Sequence, residues 1–350
     1  LSGGQIKEPE PITGGRGNGG IRKNGTQKSG ARIVRILVAI VLTAGLVIFL
    51  VNVASPEKLW SVITGVELLP LLAAFAVYMS NNLVRAGRFT AAGAQSTFGA
   101  LFAVASVHAL LVRILPLRSG DLSYAPLLRS VGGGELKTGF AGLIIMRLMD
   151  LCVVLLAGFA FLAGGLLPGV RPESQGLILM AVSAAGVVGL YFYLERIGRA
   201  GIAVVRFITR NSGIKNFSRL NEKLDAAAEE LFRIRNAPSR EKAVLFLLTV
   251  LYWIHIGFLY FFALWALGLR LTVSGALAVA VFGVAGSMIP LSAIGTFGFQ
   301  EAGFTVGLVI AGCGQSEAAA LGISTSLIVL LSSIMPAIPC AAWIWLRRKN

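Results

Sequence analysis

Apolar residues in this chain come in long blocks, and the length of those blocks restricts the fold more than any other feature. Stretches 33–53, 66–84, 139–167, 176–194 and 244–268 each run for 17 residues or more. A helix rising about 1.5 Å per residue needs ~20 of them to cross ~30 Å of hydrocarbon. A transmembrane barrel would instead alternate apolar and polar residues over about ten positions. Soluble domains average about a quarter charged residues; here charged residues make up 13% and apolar ones 56%. The chain therefore reads as an all-α polytopic membrane protein.

Further apolar segments lie at 276–291, 302–312 and 319–346, and a ninth at 98–116. Basic residues order them. The first 32 residues carry six Lys/Arg, 85–138 six, 195–243 eleven and the final "RRKN" three, against Lys58, Arg171 and Arg270 in the other connections. Because basic loops stay inside, both termini are expected in the cytoplasm, in a multi-pass protein of the cell (inner) membrane. Full crossing by 98–116 would set Arg85 and Arg88 against Arg118, Arg129 and Lys137 on the opposite side. That segment is therefore expected to be re-entrant, leaving about eight spans, with 302–312 too short to cross alone.

The domain reading follows. Residues 1–32 form a disordered, basic cytoplasmic tail, 33–346 the transmembrane domain, and 347–350 a cytoplasmic end. No secretory signal is expected, since about 30 polar residues precede the first apolar run. The tail's "GGRGNGG" fits a dinucleotide pattern, but lacks the strand and helix that give the pattern meaning. In loop 195–243, Leu220, Leu224, Ala227, Ala228 and Leu231 recur at helical spacing. Such an amphipathic helix lies either on anionic headgroups or on the protein's own cytoplasmic surface. Topology accounts for the net charge of +15, so no nucleic-acid partner is inferred.

Two interruptions stand out. The run ending in "ILPLRSGDLSY" breaks at Pro116 and Gly120. The run ending in "IPLSAIGTFGFQE" breaks at Pro290, Gly295 and Gly298. Each is followed by an apolar patch, a glycine-containing turn and a long apolar helix. This order predicts two pseudo-repeats with broken helices. In hydrocarbon an interrupted backbone survives only where it is buried in protein or lines a wet cavity.

Charges at depth point to the same cavity. Arg147 and Asp150 fall ~12 and ~17 Å into a helix beginning near Gly139, where a charge costs about 2.5–3.5 kcal/mol. Their i, i+3 spacing shares one face, which serves either a structural pair or a polar wall. Glu301 is either an unpaired proton carrier, or a residue that sits at the cytoplasmic interface or caps a half-helix. Arg118 and Asp121 are either loop charges or site residues. His108 and His255 read as hydrogen-bonded packing residues, and Cys152, Cys313 and Cys340 as small buried hydrophobes. No spacing suggests a metal or a cofactor.

Four stretches together carry a family likeness. "NNLVRAGRF" supplies Asn81, Asn82, Arg85 and Arg88. "LPLRSGDLSY" supplies Pro116, Arg118, Gly120 and Asp121. "MRLMD" supplies Arg147 and Asp150, and "IPLSAIGTFGFQEAG" supplies Pro290, Gly295, Gly298 and Glu301. In this order they resemble the lysylphosphatidylglycerol synthase transmembrane-region family of flippase-like membrane proteins, from about residue 33 to 346. Asp121 stands where that family usually has Glu, and Tyr124 where an Arg is common. The resemblance implies a bacterial or archaeal protein that moves lipids or lipid-linked headgroups between leaflets, with hopanoid-like cargo open. Nothing in these 350 residues resembles the soluble aminoacyl-transfer domain of full-length synthases, so lipid synthesis by this chain alone is not expected.

The leading expectation is thus a lipid flippase or transporter, not an enzyme. Arg85, Arg88, Arg118 and Arg147 would attract an anionic headgroup, while Asp121, Asp150 and Glu301 offset charge or couple protons. Two alternatives share the same residues: a membrane-embedded lipid-phosphate transferase or hydrolase, and a scaffold for a lipid-synthesis enzyme. A homodimer is a further open expectation.

Overall fold

The computed structural model describes residues 56–163, 238–287 and 296–347, with isolated positions at 45, 48, 52, 203 and 207. The expectations for tail 1–32, spans 33–53 and 176–194, the amphipathic stretch of loop 195–243 and the final residues 348–350 lie outside these, isolated positions apart. So do Pro290 and Gly295.

Every described element is helical. In chain order they are α1 (Pro56–Thr64), α2 (Leu68–Ala91), α3 (Phe98–Ile114), a 3-10 helix (Pro116–Ser123), α4 (Tyr124–Ser130) and α5 (Leu136–Ala163). There follow α6 (Ser239–Ala266), α7 (Val273–Ser287), α8 (Phe299–Ile310) and α9 (Gln315–Arg347). Three of them, α2, α6 and α9, are long and apolar enough to cross a membrane, and α5 has 28 residues. The 17 residues of α3, 15 of α7 and 12 of α8 rise only about 25, 22 and 18 Å. Segments 276–291 and 302–312, expected as separate crossings, are therefore the two arms of one hairpin. Helix α1 has no counterpart in the expectations. Pro56 and Glu57 open it with the residue types that suit a helix start, and its Leu59 and Val62 pack on Ala319 and Ala320 of α9.

The chain repeats one plan twice: a long helix, a hairpin, a long helix. The first unit is α2, the hairpin of α3 with the 3-10 helix and α4, then α5. The second is α6, the hairpin of α7 with α8, then α9. The leading helices α2 and α6 run antiparallel. The Glu67 amide donates to the Ala266 carbonyl at 2.8 Å, Ser80 Oγ meets His255 Nε2 at 3.0 Å, and Gly87 faces Leu248. Each hairpin hangs from the C-terminal end of its leading helix, so the two enter the bundle from opposite ends.

The hairpins are closed differently. In the first, both feet meet: the Gln95 amide donates to the Gly133 carbonyl and Ser96 Oγ to the Val131 carbonyl, each at 3.0 Å. At its tip the 3-10 helix folds back on α3, and a Cβ at Gly120 would strike the backbone of Leu111 and Val112. In the second, the arms touch backbone to backbone. A Cβ at Gly286 would strike the Phe299 carbonyl, and one at Gly303 the Phe282 carbonyl. Small residues at such contacts are how helices associate in lipid, where apolar burial alone supplies no drive.

Each hairpin sits in its own apolar cluster. Phe89, Leu101, Val104, Tyr124, Leu128 and Met146 surround the first; Leu259, Tyr260, Val279, Phe304, Leu308 and Leu321 surround the second. Helices α2 and α9 contribute to both clusters. The polar residues collect between them.

Candidate functional site

The hairpin tips meet. Val112 and Arg113 from the end of α3, and Val284, Ser287, Thr296 and Gln300 from the tip of the second hairpin, line one open pocket. The middles of α2 and α6 close it with Tyr78, Asn81, Arg85, Tyr252, Trp253, Ile256 and Tyr260, and α5 adds Arg147 and Asp150. Its empty space is about 790 Å³, open solvent at the mouth included. A smaller chamber adjoins it, sharing Arg85, Arg147, Asp150 and Tyr252 and adding Arg88, Phe89 and His108.

The partition between the chambers is an ion network. Arg88 is 4% exposed and donates to Asp150 Oδ1 at 2.7 Å and to the Met146 carbonyl at 3.3 Å. Trp253 Nε1 donates to the same Oδ1 at 3.2 Å. Arg147 reaches Asp150 Oδ2 at 3.5 Å and pairs with Asp121. A buried carboxylate needs this many donors, because an uncompensated charge in a low-dielectric interior is costly. Tyr252 lies beneath two cations, with the Arg88 guanidinium 4.6 Å and that of Arg85 5.5 Å from its ring centre. This is a favourable cation–π arrangement.

Arg113 lies against the Tyr260 phenol, which accepts from Gln300 Nε2 at 3.4 Å. The second tip thus touches the first through Tyr260. Among the described residues, no carboxylate forms an ion pair with Arg85 or Arg113. Tyr78 Oη and Asn81 Oδ1 are buried without a hydrogen-bond partner among the described residues. Buried polar atoms are nearly always hydrogen-bonded, so these two are available to a bound group or to water.

The expected site residues are distributed as follows. Arg85, Arg147 and Asp150 line the main pocket, Arg88 the adjoining chamber, and Asp121 meets Arg147. The side chain of Arg118 lies outside the described residues. Glu301 is 4% exposed but is not part of the pocket wall. Its Oε2 accepts from the Gly298 amide at 2.5 Å, closing the N-terminus of α8, with Ser326 of α9 beside it. A carboxylate there also complements the positive end of the helix dipole. Gly298 has φ of 93°, a backbone conformation that favours glycine, so this break has a direct steric cause. His108 and His255 are hydrogen-bonded to Ser123 and Ser80, as packing residues would be.

Sequence reasoning missed Arg113, Tyr252, Trp253 and Tyr260. A signal for Arg113 existed: it is a charge inside an apolar run, three residues before Pro116, and such charges are site candidates by default. The aromatic residues carried no comparable signal within an apolar helix.

No curated protein and no solved structure gave a match to this chain. A family model, the lysylphosphatidylglycerol synthase TM region, matches residues 36–338. That match takes in both hairpins and every residue of the pocket, so the chain belongs to the lysylphosphatidylglycerol synthase transmembrane-region family, membrane proteins of lipid metabolism or transport.

Proposed function

We propose that this protein moves a lipid between leaflets by passing its anionic headgroup through the pocket at the hairpin tips, while the acyl chains stay in the bilayer. One observation carries the reading. Two hairpins entering from opposite ends converge midway along α2 and α6, where Arg85 and Arg113 line an open pocket and, among the described residues, form no ion pair with a carboxylate. Interrupted helices meeting at a polar midpoint are the arrangement used by transporters built from inverted repeats.

In this reading the first hairpin is re-entrant from the cytoplasmic side, the second from the opposite side, and both termini are cytoplasmic. The distribution of Lys and Arg supports that orientation. Arg147 and Arg88 are held in place by Asp121 and Asp150, and Arg85 and Arg113 contact the headgroup. No step of bond making or breaking is involved.

The test is leaflet exchange in proteoliposomes, followed by quenching a fluorescent lipid in the outer leaflet. Wild-type protein should accelerate exchange of an anionic lipid over protein-free vesicles. Arg113→Ala and Arg85→Ala should each lower the rate by about tenfold or more, the loss of one charge-assisted contact, whereas the exposed Arg129→Ala should not. Exchange at the protein-free rate across anionic, zwitterionic and isoprenoid lipids would refute the proposal. A lipid species missing from a deletion strain, with leaflet distribution unchanged, would point to a membrane-embedded enzyme.

A further inference from the structure

The charges around the pocket do not cancel, and the way they fail to cancel restricts the headgroup. Among the described residues, four guanidinium groups surround the two chambers: Arg85, Arg88, Arg113 and Arg147. Two described carboxylates accompany them, and both are engaged. Asp150 receives Arg88, Arg147 and Trp253, and Asp121 receives Arg147. Glu301, the next acid, caps its own helix through Gly298 and forms no ion pair with Arg113 among the described residues.

Among the described residues, Arg85 and Arg113 are therefore steered but not ion-paired. The first rests over the Tyr252 ring, and the second lies against the Tyr260 phenol. Both partners orient a guanidinium without supplying a carboxylate to pair with it. Guanidinium is the side chain best matched to paired phosphate oxygens. A phosphodiester offers one negative charge, whereas a terminal phosphomonoester carries about 1.5 to 2 at neutral pH. A headgroup amine would find neither described carboxylate free.

We infer that the pocket selects a dianionic phosphate, a terminal phosphomonoester or a diphosphate, and that Arg85 and Arg113 make the selection. This rests on the lipid-headgroup reading of the same pocket and narrows it.

The full chain in detergent would be titrated with short-chain phosphatidic acid, phosphatidylglycerol and phosphatidylcholine, and with inorganic phosphate, by calorimetry. Phosphatidic acid should bind about tenfold or more tighter than phosphatidylglycerol, and phosphatidylcholine should show no saturable binding. Arg85→Ala and Arg113→Ala should each abolish that preference while the Tm stays near the wild-type value, and Arg113→Lys should retain part of it. Equal affinity for the two anionic lipids, or a preference that survives both alanine variants, would overturn the inference. The wild-type ratio decides by itself if an alanine variant does not fold. Inorganic phosphate matching phosphatidic acid would support selection of a dianion and overturn the lipid reading. Phosphatidic acid bound selectively but never exchanged would support selection and overturn transport.

Discussion

Asp150 shows how much of the site one carboxylate holds together. It receives Arg88, Arg147 and Trp253, side chains from α2, α5 and α6. Breaking a buried ion pair on one side leaves the other charge uncompensated, at about 3–5 kcal/mol. Arg88→Leu should therefore lower unfolding stability by about that amount. The double variant Arg88→Leu/Asp150→Leu should recover most of the loss, because Arg147 keeps Asp121. Chemical unfolding in mixed micelles would measure both. An additive double variant would show that the pair is not coupled. At this scale the sequence was half legible. Arg147 and Asp150 share one helix face, so their proximity follows from spacing alone. The stronger partner, Arg88, lies 62 residues away on α2, and only the tertiary fold brings it to Asp150.

At the level of elements, the second hairpin depends on two glycines that no helix propensity would favour. Gly303→Val would place branched carbons against the Phe282 carbonyl, an overpacking of about 1–3 kcal/mol or more. It should lower the Tm and the yield of monodisperse protein, while Gly99→Val, at a position open on all sides within 4 Å, should be tolerated. Equal loss in both would argue against a close contact between α7 and α8. The proline and glycine breaks at Pro116, Gly120 and Gly298 were readable, since each marks a place where the backbone must leave a regular helix. That α7 and α8 form one hairpin was not. An apolar run looks the same whether it faces lipid or another helix, and 276–291 is long enough on paper to cross most of a bilayer. Helix α9 carries a related ambiguity. Pro336 and Pro339 interrupt its amide ladder, yet the helix continues, with Ser332 and Ser333 bonded back to the carbonyls of Ile328 and Leu330.

For the whole molecule, antiparallel leading helices make the two repeats inverted, and that has a direct readout. In a cysteine-free background, Gln95→Cys at the foot of the first hairpin and Gln315→Cys at the foot of the second should react with an impermeant maleimide from opposite sides of the membrane. Labelling of both from one side would exclude inverted repeats. The order of elements was visible in the sequence because both halves share a succession of break, turn and long helix. Their inversion was not read from the sequence, and neither was the meeting of the tips, since both depend on how α2 and α6 pack. One consequence follows from how the hairpins are fastened. The first is closed at its two ends, by Gln95 to Gly133 and Ser96 to Val131 at the feet and by Gly120 against α3 at the tip, while the second is joined along its arms at Gly286 and Gly303. The glycine-joined pair should therefore move as one body, and the arms fastened only at their ends should yield first.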